Sequence, residues 1–254
     1  MTDALTGRTV LVTRPQQQAA ALSEAIRAAG GNAYAFPALA IEAVALEALR
    51  AVLDALPATD LTIFISPNAA RHGATALRSA NRLPQSGVFA VGPGTAQALQ
   101  EAGVADVITP AGQDSEALLA LPQLQAVAGK RVVIVRGVGG RALLADTLRA
   151  RGAEVHFLEC YRRTCPHADA TSLLQRWQAG GIDAVTITSA ETLHNLAGLL
   201  GEAGWPLLTH TPLFAPHEKI AVAARQFGIP DVVTTAGGDA GLVDGLINWF
   251  RNMR

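Results

Sequence analysis

Apolar residues in this chain gather in short, nearly unbroken runs that end in turn residues and lead into Ala/Leu-rich stretches. Four runs stand out: Thr9–Thr13, Leu61–Ile65, Arg131–Val135 and Ala184–Thr188. A strand covered on both faces has no polar side to show, so runs without alternation predict parallel strands packed between helices. Strand followed by helix, several times over, predicts an α/β chain.

The runs also pair. "GRTVLVTRPQQQAAALSEAIRAAGG" from Gly7 matches "GKRVVIVRGVGGRALLADTLRARGA" from Gly129, and "DLTIFISP" from Asp60 matches "DAVTITSA" from Asp183. "FAVGPGTAQALQEAGVADVITPAGQD" from Phe89 matches "FAPHEKIAVAARQFGIPDVVTTAGGD" from Phe214. This is a tandem duplication. Each copy is too long for a solenoid repeat, so the expectation is two similar α/β units. Two linker-like stretches, Ala35–Ile41 and Phe157–Arg163, follow the second strand of each copy.

In parallel sheets of this kind, ligands bind beyond the carboxyl ends of the strands, where helix N-termini present unpaired N–H groups. Ser66-Pro67 has the form of an N-cap serine followed by proline at the first helical position. Ser189, Ser115 and Arg14-Pro15 occupy comparable entries. Capping alone accounts for any one of them. Their number, with Arg14 and Arg136 closing equivalent strands and Arg141 one turn into a helix, suits a ligand carrying several carboxylates or phosphates. Asp114, Glu116 and Glu191 near helix starts complement the dipole.

A rival reading attaches to Gly137-Val138-Gly139-Gly140-Arg141-Ala142. It follows an apolar strand and satisfies G-x-G-x-x-A, with Glu159 at the distance of a ribose-binding acid. Against it, the matching turn in the other copy is Arg14-Pro15-Gln16-Gln17-Gln18. The strand also enters the glycines through Arg136 instead of a small residue.

Composition narrows the partner. The 254 residues are half apolar, with 20 basic and 21 acidic side chains. They are mixed along the chain, without the basic stripe of a nucleic-acid surface or a membrane patch. A small-molecule partner is expected. The N-terminus lacks a basic start and apolar core, and no run approaches membrane-spanning length, so a cytoplasmic protein is expected. Cys160 and Cys165, the only two cysteines, have no zinc-like neighbours and read as reduced thiols. The six histidines are scattered, and no G-x-S-x-G elbow is present.

Tyr161, one of two tyrosines, lies in "LECYRR". Strand alternation places Glu159 and Arg163 on its own face, and a phenol among cations gives up a proton more readily. Packing is the competing reading, as it is for Tyr34.

Taken in order, "VLVTRP" (10–15), "FPALAIE" (36–42), "IFISPNAA" (63–70), "AVGPGTAQAL" (90–99), "VIVRGVGGR" (133–141), "ECYRR" (159–163) and "ITSAETLHNL" (187–196) resemble the uroporphyrinogen-III synthase family. The resemblance covers nearly the whole chain. It implies closure of the linear tetrapyrrole hydroxymethylbilane to uroporphyrinogen III, with inversion of ring D, loss of water and no metal or organic cofactor. It also implies a monomer of two parallel-sheet α/β domains with exchanged halves, residues 1–36 with 165–254 and residues 42–157. A two-stranded linker ladder, 37–41 and 158–164, would join them, with the active site in the cleft between. The preceding enzyme, hydroxymethylbilane synthase, is a further implied partner; nucleic acid and membrane are not.

By the same resemblance Tyr161 is the acid that assists departure of the substrate hydroxyl. Thr13, Arg14, Ser66, Pro67, Asn68, Gly92, Thr95, Arg136, Gly137, Arg141, Ser189, Ala190 and Glu191 lie on turns that would bind acetate and propionate groups. The glycine turn then acts as a carboxylate-binding nest. One departure is Pro216-His217-Glu218-Lys219 where the first copy has Gly92-Pro93-Gly94-Thr95, leaving Lys219 as a carboxylate partner there.

Overall fold

The computed structural model describes residues 4–84, 86–112, 114–140 and 142–252. The candidate Arg141 lies outside the described residues. Chain order runs β1 (Thr9–Val12), α1 (Gln16–Ala28), β2 (Asn32–Ala35), β3 (Ala40–Ala43), α2 (Leu46–Ala55), β4 (Leu61–Phe64), α3 (Pro67–Ser79), β5 (Val88–Ala90) and α4 (Pro93–Glu101). It continues through β6 (Val107–Ile108), α5 (Ser115–Leu119), α6 (Pro122–Gln125), β7 (Arg131–Gly137), α7 (Leu143–Ala150) and β8 (Glu154–Thr164). The last third holds α8 (Thr171–Gln178), β9 (Ala184–Thr186), α9 (Ala190–Thr209), β10 (Leu213–Ala215), α10 (Glu218–Gln226), β11 (Val232–Thr234) and α11 (Gly238–Asn252). All four apolar runs form strands. Among the described residues no helix is long and apolar enough to cross a membrane.

The chain divides into two compact units, residues 1–40 with 164–254, and residues 41–163. In the first, the sheet order is β11-β10-β9-β1-β2, with every neighbouring pair parallel. The second has β3-β8-β7-β4-β5-β6, and β8 through β6 are parallel. Apart from β3 the two orders are the same. Each sheet takes its first two strands from one copy of the duplication and the remaining three from the other, so the halves are exchanged.

Both faces of both sheets are covered, which explains the lack of alternation in the sequence. In the second unit Phe64, Val133, Val135 and Leu158 pack beneath α3 and α4 with Ala70, Leu77 and Leu99. Leu61, Ile63, Val132 and Ile134 face Leu118, Leu124 and Leu148 on the opposite side. The first unit repeats the arrangement: Leu11, Val185 and Leu213 face α8 to α10, while Val10, Val12 and Phe214 face α1 and α11.

Phe157–Arg163, read from sequence as a linker, is the continuous second half of β8, and β3 lies beside that strand. One irregularity interrupts β8. Arg136 is in register with Glu159, but Gly137 is in register with Tyr161, so Cys160 is an extra residue in a β-bulge. A one-residue bulge reverses the face on which every later side chain emerges. Cys160 and Tyr161 are consequently consecutive buried residues in the same core cluster.

Candidate active site

In both units strand order reverses at one point, between β4 and β7 in one and between β9 and β1 in the other. Connections leave such a point in opposite directions, which opens a crevice beyond the strand ends. In the second unit that edge carries a cavity of about 410 Å³ lined by Ile65, Val91, Arg136, Gly137, Gly140, Phe157, Tyr161 and Arg163, among others.

The turns at this edge have local causes, although Ser66, Pro67, Asn68, Gly92 and Thr95 do not line the cavity themselves. After β4, Ser66 takes extended backbone and its hydroxyl accepts the Ala69 N–H at 3.0 Å, with Pro67 opening α3. Ser66, Pro67 and Asn68 are half-buried. After β5, Gly92 caps α4 without a side chain, and Thr95 is buried in its first turn. The α5 entry differs from expectation. Asp114, not Ser115, is the cap, because its carboxylate reaches the Ala117 N–H at 2.8 Å.

Tyr161 is 3% exposed, and its hydroxyl lies 3.0 Å from Ser66 Oγ. Its ring covers Gly137 so closely that a Cβ there would stand 2.7 Å from two ring carbons and 3.1 Å from the hydroxyl oxygen. Close approach of the ring, not backbone conformation, requires glycine at this position. Alternation placed Glu159 and Arg163 on the tyrosine face. Arg163 does line the same cavity, but the bulge separates Tyr161 from Glu159.

Glu159 instead closes on the glycine turn. Its Oε1 accepts the Gly139 N–H at 3.1 Å and lies 3.8 Å from Arg136 Nε. Gly139 and Gly140 have φ of 75° and 107°, two consecutive left-handed residues that only glycine adopts freely. The dinucleotide reading fails on these contacts. The space a pyrophosphate would need over the first glycine is filled by the Tyr161 ring, and the acid meant for a ribose is bonded to the turn itself. A carboxylate on the turn is nevertheless what a carboxylate nest would hold.

Arg136 is 5% exposed. Its guanidinium lies over the Phe157 ring at 4.9 Å, and Nε donates to the Gly137 carbonyl at 3.2 Å. Of its five donors one reaches a carbonyl, and the guanidinium lines the cavity, where further donors can meet a ligand.

At the equivalent edge of the first unit several of the matching side chains already have partners. Thr13 is fully buried and donates to the Thr186 carbonyl at 2.6 Å, while Thr186 donates to Leu11 at 3.0 Å. Arg14 is paired with Asp239 in the first turn of α11. Ser189 caps α9 by accepting the Thr192 N–H at 3.0 Å, and the Ala190 carbonyl accepts from His194 Nδ1 at 2.7 Å. Glu191 and Lys219 are exposed in the first turns of α9 and α10.

Two groups escaped the sequence. His72 on α3 has its ring 5.9 Å from that of Tyr161; burial, aided by the charge of Arg71, holds its pKa below the ordinary value. Its position six residues after Ser66 on one helix was the available signal. Asp239 had none, being brought to Arg14 only by the fold. Cys160 is an inert thiol, its pKa pushed up to about 12 by burial. Among the described residues no three His, Cys, Asp or Glu side chains gather as a metal site would require.

The family model described as uroporphyrinogen-III synthase HemD matches residues 20–243. Uroporphyrinogen-III synthase of Escherichia coli K12 is 37% identical over 239 residues, covering 91% of this chain and 96% of the relative. That of Salmonella typhimurium LT2 is 38% identical over 241 residues with the same coverage. Among solved structures, a mutant uroporphyrinogen III synthase from the extremely thermophilic bacterium Thermus thermophilus superposes with a TM-score of 0.61 at 19% identity, covering 98% of this chain and 100% of the other. The uroporphyrinogen-III synthetase of Helicobacter pylori 26695 gives 0.61 at 14% identity, covering 97% and 100%. At those identities the two structures speak for the fold.

Proposed function

We propose that this chain, which belongs to the uroporphyrinogen-III synthase family, closes hydroxymethylbilane to uroporphyrinogen III with inversion of ring D and loss of water. The observation that carries the reading at the level of chemistry is Tyr161, a buried phenol on the wall of a cavity among Ser66, Gly137 and Arg163. The phenol gives its proton to the departing hydroxyl oxygen as the azafulvene forms. Hydroxyl loss from a pyrrolic methylene is intrinsically easy. The harder task is holding the chain so that attack falls on the substituted carbon of ring D, through a spiro intermediate.

Many mild donors suit that task. Arg136 and the turns at Ser66-Pro67-Asn68, Gly92 to Thr95 and Gly137 take acetate and propionate groups, with Arg141 assigned by resemblance. Thr13, Arg14, Ser189, Ala190, Glu191 and Lys219 are assigned to the same substrate on that ground too. Support is stronger for Arg136 and Gly137, which line the cavity, than for Thr13 and Arg14, which have partners within their own unit and are not among its lining residues. On this reading the substrate comes from hydroxymethylbilane synthase, and the protein works as a monomer in the cytoplasm.

The test is a coupled assay on freshly made hydroxymethylbilane, with oxidised products separated into type I and type III isomers. Dominant type III is expected, and Tyr161→Phe should lower kcat about 100-fold, the low end for a positioned acid. Type I alone from folded protein would overturn the assignment, and unchanged turnover in Tyr161→Phe would remove the acid role.

A further inference from the structure

The Ser66 hydroxyl serves two groups at once. It accepts the Ala69 N–H at 3.0 Å, which closes the first turn of α3, and lies 3.0 Å from the Tyr161 hydroxyl. A serine oxygen has one proton and two lone pairs. With one lone pair held by Ala69, the link to the phenol uses either the proton or the remaining lone pair. Both partners are fixed. Ser66 is held by the cap, and Tyr161 by the Gly137 contact and by its carbonyl, which accepts the Val138 N–H at 2.8 Å.

We propose that Ser66 is a positioning residue for Tyr161, aiming the phenol and holding its oxygen through proton transfer, instead of a side chain that touches substrate. This rests on Tyr161 being the acid, as argued above. In that step the C–O bond of the hydroxymethyl group breaks, the leaving oxygen takes the Tyr161 proton, and water departs. The phenol is left as phenolate. Its former proton now belongs to the water, so the donor facing it is Ser66, whose second lone pair stays on Ala69. A hydrogen bond to an ion is roughly twice as strong as one between neutral groups. The contact therefore strengthens as the charge develops, which is what lowers a barrier. The positive end of α3 lies at the same turn and acts in the same sense. The phenol regains a proton when the pyrrole carbon that closes the ring loses its own, so atoms and charge balance over the cycle.

A double-mutant cycle tests this, with type III formation as the readout. Glycine is nearly as good an N-cap as serine, so Ser66→Gly removes the hydroxyl at little cost to the helix. The expected result is a fall in kcat of about tenfold with KM within about twofold, as for one hydrogen bond to a charged group. Ser66→Thr, which keeps hydroxyl and cap, should recover most of it. In a Tyr161→Phe background, Ser66→Gly should cost less than about twofold more, because the two act as one unit. An equal loss in both backgrounds, or a loss confined to KM, would overturn the positioning role while leaving the acid reading intact. Parent-level turnover in Tyr161→Phe would overturn both.

Discussion

The two units share a strand order, yet the matching side chains at their carboxyl edges are partnered differently. Arg14 and Arg136 occupy matching positions, 122 residues apart. Arg14 is neutralised within its own unit by Asp239, and beneath it two threonines exchange bonds with the neighbouring strands. Among the described residues the carboxylate nearest Arg136 is Glu159 at 3.8 Å, and the guanidinium lines a cavity. Duplication supplied the same scaffold twice, and a few side chains set how each edge is partnered. The position after each arginine shows this best: Pro15 in one unit, and in the other Gly137, over which Tyr161 lies.

The largest expected effect comes from Gly137→Ala. The new methyl would stand 2.7 Å from the Tyr161 ring, against strand backbone that cannot retreat far. The ring must leave its site and with it the Ser66 bond. Type III turnover should fall about 100-fold, comparable with loss of the phenol itself, while far-UV circular dichroism stays unchanged. Parent-level activity would mean that this edge does not depend on where the phenol is held.

A second, intermediate effect separates the two arginines. Arg136→Met removes a cation from the cavity wall and should raise KM about tenfold, the loss of one charge-assisted contact. Arg14→Met breaks a pair that is already satisfied, so it should raise KM less than Arg136→Met does. Its cost is stability, since Asp239 loses its partner. Equal KM effects would erase the distinction between the two edges.

How far the sequence reached follows the range of the interactions involved. Strands, the duplication and the Ser66-Pro67 cap were legible because they are local: an unbroken apolar run or a serine before proline needs no knowledge of the rest of the chain. The exchange of halves between sheets came only through family resemblance, since both pairings bury the same strands. Within the site, Tyr161 was visible as a residue but not in its orientation. The Cys160 bulge leaves no mark in a sequence read by alternation, and it moved Tyr161 away from Glu159 into the core cluster under α3. Glu159 bonding to Gly139 likewise turned an apparent nucleotide motif into a self-filled carboxylate turn.

The smallest expected effect concerns His72, whose match in the other unit is Asn195, 123 positions on. Burial, with Arg71 adding repulsion, disfavours the charged imidazole, so the folded pKa lies below the ordinary 6.5. Below pH 6.5 the unfolded chain then binds the proton more readily than the folded one does. Stability from this residue is fully present above that pH and is lost as pH falls through the folded value. His72→Asn, which gives the second unit the residue of the first, should flatten that part of the profile. Urea unfolding of parent and variant between pH 5 and 8 would show curves that run parallel above 6.5 and differ in slope below it, the parent falling faster. Curves parallel throughout would mean that His72 titrates as if in water, and that its place beside the Tyr161 ring adds nothing to the difference between the two units.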